Sequence, residues 1–509
     1  MTNNKISWIF RSGVVLPILK RLTIFFAHLV YITIGFGQPV SLDWMWRLSP
    51  GNCQGISAIE LPSGNLMIIG KRSVDIGSPV STMLALVTAN GDCLWTHTID
   101  TLSTFTPVSI FLNDEQQPAI VGFRTNRDSV YESDIAVCTL TDSGAIADFC
   151  VMNGLHFLDV SSSISTTDGY VVCGEGIDQA DSRTNLTVIK LDTLNGMSLE
   201  WSASLRPISE SVTSGRWIIP VSQGGYAIVG TVRPDTYPSS PSRVYVVRLD
   251  ERGDTLWTKM FGDSTFYFEG ESIVETQDHG FIILAERSQH YGILSVIRAI
   301  RIDADGEPIW QRDYSTGSYL ILNAQSIIHS SRQGWLIGGF SDQIPPHDYQ
   351  DYYIQKVNDN GDSLWSMVIP SGGLGHISCL LPLRTGGDLF VGTVFGSSDF
   401  TNDLVVGRFD EVESVSPTVL TPTCDDLLQT YPNPFNSATT IHYALPMAGK
   451  IRLSIYDLLG RESATLYSGP QTAGSHEIRF DGSALSSGIY FVRLRAGRTE
   501  TEQKIILLK

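Results

Sequence analysis

The stretch from Arg243 to Lys259 constrains the fold more than any other part of the chain. An apolar run, Val244 to Leu249, leads into the polar turn Asp250-Glu251-Arg252-Gly253-Asp254, and a second run then carries Trp257. β-branched and aromatic residues on both sides of a short Gly-containing turn specify a β-hairpin. The hairpin recurs. Gly91 leads to Trp95, Gly306 to Trp310 and Gly361 to Trp365, each Trp four residues after its Gly, as at Gly253 and Trp257. Gly196 with Trp201 and Gly144 with Phe149 are copies with one residue inserted. With Trp46 added, the aromatics recur roughly every 49 to 56 residues, a period that means propellers, solenoids or arrays.

A second series runs in phase with the first. Gly225 to Gly230, Gly169 to Gly174, Gly334 to Gly339 and Gly387 to Gly392 each enclose a short apolar run. Asn65 to Gly70, Gln117 to Gly122 and Gly280 to Ala285 are looser copies, which makes seven. Short, continuously apolar runs bounded by turn residues are strands covered on both faces. One more short strand precedes each run, as at Glu271 to Glu275. Four strands per unit and seven units describe an all-β chain built as a seven-bladed β-propeller. The strand Ser41 to Leu48 has no partners before it, and the last unit lacks a Trp strand after Leu404 to Asp410. Pairing of Ser41 to Leu48 with Leu404 to Phe409 is therefore expected to close the ring.

The remaining segments differ in texture. Lys5, Arg11, Lys20 and Arg21 precede the apolar run Leu22 to Phe36 and the small-x-small Gly35-Phe36-Gly37, so residues 1–37 read as a signal peptide. Its removal takes the formal charge from −18 to about −22, which favours solubility. No basic patch stands out, which argues against nucleic acid as a partner. Residues 38–411 are assigned to the propeller. Residues 412–424 are a Ser-, Thr-, Val- and Pro-rich linker. Residues 425–509 carry short strands at Thr439 to Ala444, Lys450 to Tyr456, His476 to Phe480, Gly488 to Arg493 and Lys504 to Leu508, a spacing that suggests an Ig-like β-sandwich.

That last region resembles the type A C-terminal sorting domain of the type IX secretion system. The resemblance is carried by Tyr431-Pro432-Asn433-Pro434-Phe435-Asn436, Ile455 to Arg461, Ser487-Gly488-Ile489-Tyr490-Phe491-Val492 and the ending Lys504 to Lys509. It implies a sorting signal formed by Pro432, Asn433, Pro434, Gly488, Tyr490, Lys504 and Lys509. It also implies export through the periplasm to the outer surface or the medium, with outer-membrane secretion and sorting machinery as partners. The Gly-x-x-x-Trp hairpin is similar to the tryptophan-docking motif of quinoproteins. By that resemblance Trp46, Trp95, Trp201, Trp257, Trp310 and Trp365 pack between blades, where aromatic burial is most useful.

Motifs that carry chemistry are few. Asp303-x-Asp305-Gly306 and Asn358 to Asp362 begin like calcium loops, but a strand and a Trp follow where a bidentate Glu and a helix are needed. They read as turns. The chain has no His-Glu-x-x-His, Cys-x-x-Cys, Cys-Cys or Gly-x-Ser-x-Gly, so no metal, cofactor or catalytic residue is assigned. Cys138 and Cys150 flank the turn Asp142-Ser143-Gly144 symmetrically, and a disulfide is expected across it. Long polar loops open on one face. The loop holding His347, Asp348, Tyr349, Asp351 and Tyr352 has the apolar faces and polar tips suited to a glycan or protein ligand. The expectation is a monomeric, secreted, non-catalytic binding or scaffold module. The competing reading, an enzyme acting on polysaccharide, requires a cluster of channel-facing acids with one raised pKa.

Overall fold

The apolar runs become the middle strands of antiparallel sheets that follow one another along the chain. In the computed structural model, the structure describes residues 22–23, 40–48, 52–73, 80–99, 105–125, 133–178, 181–193, 197–209, 211–235, 240–289, 295–315, 319–343, 350–396, 401–411, 428–431, 433, 435–445, 449–458, 460–471, 474–496 and 499–508. No helix occurs among them. The chain divides into two units, Met1–Val412 and Glu413–Lys509. The expected signal peptide, apart from a two-residue strand Leu22–Thr23, lies outside the described residues. The expected linker does too.

The sheet Ser211–Pro220, Tyr226–Pro234, Arg243–Leu249, Thr255–Phe261 shows the repeated plan. The second strand, Tyr226–Pro234, is buried from Tyr226 through Val232 because sheets cover both of its faces. The outermost strand alternates between exposed and half-buried residues. Apolar clusters sit between consecutive sheets. One joins Val229 and Val246 to Phe268, Phe281 and Ile283 of the next sheet, and another joins Ile282 and Ile297 to Leu322 and Ile337 of the one after. The strand Ile146–Thr166 is long enough to end one sheet and begin the next.

The expected closure is present. Val40–Leu48 pairs antiparallel with Asn402–Glu411, from Ser41 opposite Asp410 to Leu48 opposite Leu404. A cluster containing Trp46, Leu48, Val391 and Leu404 also holds Cys53, Leu66 and Ile68, so the last sheet packs on the first.

A β-bulge just before the Trp re-aims the outer strand in each hairpin of the motif. Trp257 lies opposite Arg248 and Trp310 opposite Arg301, with the register shifting at the next pair. The bulge turns the indole beneath the turn of the following sheet. Trp201 Nε1 donates to Glu251 O at 3.1 Å, Trp257 Nε1 to Ala304 O at 3.1 Å and Trp310 Nε1 to Asp359 O at 3.2 Å. The turn glycine is required twice over at Gly253. Its φ is +84°, and a Cβ there would stand 2.6 Å from the Trp201 ring.

The same geometry keeps Trp46 in the packing between sheets but gives the position beneath the next turn to Trp44. In the closing strand it is Trp44 that lies opposite a basic residue, Arg408, after a bulge at Asp43. Trp44 Nε1 donates to Ala89 O at 3.1 Å, and a Cβ on Gly91 would meet its ring at 2.7 Å. Trp46 faces Val406 and is buried in the core between the last and first sheets. Both tryptophans stand on one strand, and the sequence before it lacks the repeat's Gly-to-Trp hairpin, so that spacing could not choose between them.

In the C-terminal unit, a three-stranded sheet and a four-stranded sheet share one core of Phe435, Ile441, Leu453, Ile455, Phe480, Val492, Ile505 and Leu507. The strand Glu462–Gln471, absent from the sequence reading, forms an edge of the larger sheet. Its Ser, Gly and Pro content reads as loop.

Because closure rests on one strand, deleting Asp43–Leu48 is expected to lower the thermal midpoint steeply. Loss of a buried Trp alone costs about 3–5 kcal/mol. An unchanged midpoint in a thermal melt would show that the ring is held by something else.

Candidate functional site

The innermost strands carry a second set of bulges. In Ser211–Pro220 the register shifts between Gly215 and Trp217, leaving Arg216 as the extra residue. In Tyr267–Glu275 the extra residue is Glu271, and in Tyr319–His329 it is Gln325. Ser161, Ser378, Ile56 and Val108 stand at the same place in their own innermost strands. An extra residue cannot join the ladder, so its side chain is turned out of the sheet. All of these side chains line one central cavity of about 740 Å³. The bulge is supported across sheets: Gly270 N donates to Thr231 Oγ1 at 3.0 Å and Gly55 N to Thr393 Oγ1 at 3.1 Å. The innermost strands also need close backbone approach. A Cβ on Gly270 would stand 2.5 Å from Gly230 O, and one on Gly230 would stand 1.9 Å from Ser214 O, which explains the glycine ending that apolar run.

The cavity holds ionisable groups. Arg216 Nε donates to Glu271 Oε2 at 2.9 Å, with the Arg216 side chain 51% exposed and that of Glu271 only 9%. Burial pushes the Glu271 carboxyl up to about 7, Arg216 opposes this, and Glu269 and Glu286 add to it. Asp159 lies directly across from Glu175, and burial raises both. Arg233 Nη2 donates to Glu269 Oε1 at 2.8 Å, and Asn323 Nδ2 to Glu286 Oε2 at 2.5 Å. His376 is pushed down by burial and by Lys71, which favours its neutral form. The channel-facing acids required by the enzymatic reading are therefore present. Among the described residues, no group of three or more His, Cys, Asp or Glu could hold a metal ion.

Of the ligand-face residues singled out in the sequence, the two that the structure describes, Asp351 and Tyr352, do not line this cavity. His347, Asp348 and Tyr349 lie outside the described residues. Asp351 is buried, its Oδ1 accepting from Ser371 N at 3.0 Å, and Tyr352 is 1% exposed against Phe390. These two belong to the interior and not to a ligand face. The expected disulfide is also corrected. Cys138 pairs with Phe149 and Cys150 with Val137, one residue out of register, so the thiols point to opposite faces and are free. The shift comes from the extra residue Ala147, between Ile146 and Asp148. Trp95, Trp201, Trp257, Trp310 and Trp365 are packed against the inter-sheet cores.

The C-terminal motifs are brought together. Asn433 Nδ2 donates to Lys504 O at 2.8 Å, and Asn433 Oδ1 accepts from Ile506 N at 2.9 Å. Phe435 N donates to Ile506 O at 2.9 Å, and Leu508 N to Phe435 O at 2.8 Å. Asn433 and Phe435 thus cover the open edge of the terminal strand Thr499–Leu507. Edges left uncovered invite pairing with other chains. Gly488 lies opposite Leu507 and Tyr490 opposite the buried Ile505, while Lys504 is exposed. Pro432, Pro434 and Lys509 lie outside the described residues.

Residues 429–508 match the family described as the secretion system C-terminal sorting domain. No curated protein matches the chain. Among solved structures, the chain is similar to a fungal alcohol oxidase in complex with copper, at 12% identity, covering 91% of this chain and 98% of that one with a TM-score of 0.44. It is similar to a polysaccharide lyase described as an ulvan lyase, at 11% identity, covering 69% and 90% with a TM-score of 0.49. It is also similar to the β-propeller domain of the Trilobed protease from Pyrococcus furiosus, at 8% identity, covering 73% and 98% with a TM-score of 0.41. The type IX sorting domain marks the protein for export to the cell surface or the medium, and it engages the secretion and sorting machinery.

The Glu271 shift has a definite sign. An unfolded chain loses this proton near 4.5 and the folded chain near 7, so the stabilising contribution is complete below pH 4.5 and lost as pH rises through 7. In Glu271→Gln this dependence is absent. The melting temperature of the variant relative to wild type is expected to rise between pH 5 and pH 8, and a constant difference would contradict the assignment.

Proposed function

We propose that this protein is a monomeric binding module displayed at or released from the cell surface, a seven-bladed β-propeller that holds a glycan or protein ligand in its central cavity. Residues 1–37 are proposed as the export signal, 38–411 as the propeller, 412–424 as a linker and 425–509 as an Ig-like sorting domain. The observation that carries the reading is the ring of innermost-strand bulges. Each bulge forgoes ladder bonding and delivers one side chain to the same cavity. The pairing of Arg216 with Glu271 at 2.9 Å also favours binding, because it fixes both groups as hydrogen-bonding elements.

A second reading has its own support. The Glu271 carboxyl, pushed up to about 7, is suited to donating a proton near neutrality, as an enzyme acting on polysaccharide would require. One experiment separates the two. The full exported protein is incubated with soluble polysaccharides and peptides between pH 5 and pH 8, with binding and product formation both followed. Saturable binding without product is expected. Product formation with a pH midpoint near 7 that disappears in Glu271→Gln would replace the binding reading with the enzymatic one.

A further inference from the structure

We infer that the central cavity recognises a neutral, polyhydroxylated ligand, a sugar unit carrying no formal charge, and that the bulge side chains select it. The inference rests on the binding reading above and commits its cavity to a chemical class and to the residues that select it.

Charge is the first argument. The ionisable residues lining the cavity are Lys71, Arg216, Asp159, Glu271, the neutral-favouring His376 and the Cys379 thiol, which burial keeps protonated, so two basic side chains stand with two acidic ones, Arg216 bonded to Glu271. A balanced lining gives a charged ligand little net Coulombic gain, while the ligand still loses its hydration. Beside the lining stand Glu175, Glu269 and Glu286, which act electrostatically on Asp159 and Glu271, with Arg233 among them. This local excess of carboxylates, in a chain of formal charge −18, opposes an acidic peptide or a uronate.

Hydrogen-bonding capacity is the second argument. After Nε is committed to Glu271, the guanidinium of Arg216 still has its terminal nitrogens as donors. Gln325 offers an amide with both donor and acceptor capacity, and Ser161 and Ser378 add hydroxyls that can do either. Ligands bearing vicinal hydroxyls present the matching mixture of donors and acceptors. The third argument is the apolar arc. Ile56 and Val108 occupy the equivalent bulges on the other side, and Trp217 and Phe123 also line the space. A sugar ring has one face of C–H groups that such surfaces cover, with polar groups at its edge. The volume of about 740 Å³ falls within the ~300–1,000 Å³ usual for small-molecule sites.

The test is isothermal titration of the full exported protein with three probes: neutral disaccharides, uronic-acid disaccharides and an acidic peptide. Ser161→Trp fills the cavity from a position whose side chain already points into it. Gln325→Ala removes one polar group and leaves the cavity open. Neutral disaccharides are expected to bind. Ser161→Trp is expected to abolish this binding, and Gln325→Ala to weaken it by about three- to tenfold, the size of one hydrogen bond. Should Ser161→Trp fail to fold by thermal melting, Gln325→Ala decides the question. Neutral binding that neither variant alters would overturn the cavity as the site, here and in the reading above, and leave only a binding role elsewhere on the protein. Binding of only the uronate or the peptide would overturn the chemical class. Binding of none of the three would overturn both the inference and the reading on which it rests.

Discussion

Everything else in the propeller depends on an indole tucked beneath the turn of the next sheet. A four-stranded sheet with two apolar faces has no stable existence alone, so each must find its neighbour in a fixed orientation. The Trp supplies that orientation. Its ring fills the space that the absent Cβ of a glycine leaves in the following turn, and its N–H reaches a turn carbonyl at 3.1–3.2 Å. Large aromatic burial with one directional bond is a contact that both stabilises and positions. Arg248 and Arg301, opposite Trp257 and Trp310, are buried and donate to backbone carbonyls within their own sheets, so the strand that carries each Trp rests on a rigid support.

The placement of the cavity follows from this packing. Once the outer edges are locked in rotation, the innermost strands must converge, and glycines such as Gly270, where a Cβ would stand 2.5 Å from Gly230 O in the second strand of the preceding sheet, let neighbouring backbones approach. Convergence leaves little room for ordinary strand residues. The bulge resolves this by giving each innermost strand one residue outside the ladder. Outer bulges therefore hold the ring together, and inner bulges furnish its centre. The first kind is followed almost uniformly by a Trp that pairs back into the ladder. The second kind varies from Ile56 to Arg216 to Glu271, as expected of positions freed from packing.

Much of the outer pattern was legible in the sequence, because Gly-to-Trp spacing and apolar runs are local signals. The closing strand was legible for the same reason, as a Trp strand without a hairpin. The choice of Trp44 over Trp46 was not, since it depends on which residue meets Arg408 across the strand. A signal for it did exist: the repeat places a basic residue two positions before the turn, at Arg248, Arg301 and Lys356, and Trp lies opposite each. The Cys138–Cys150 pairing failed through a single inserted residue, which reverses the face of every residue beyond it. The cavity was the least legible. Its members are separated by about fifty residues each, belong to different residue types and share only a position in the ladder. Gly-x-Ser at Gly55-Ile56-Ser57 and Gly270-Glu271-Ser272 is the one local trace of it.

The claim that these indoles couple consecutive sheets is tested most directly by native-state hydrogen exchange on the wild type and Trp257→Ala. Trp257 belongs to one sheet, and the turn from Asp303 to Glu307, closed by Asp303 N to Glu307 O at 2.9 Å, belongs to the next. The account predicts faster exchange at the amides of that turn, with the turn from Asn358 to Asp362 unchanged. Exchange that quickens only within the strand Thr255–Phe261, leaving the Asp303 turn as protected as in wild type, would contradict it.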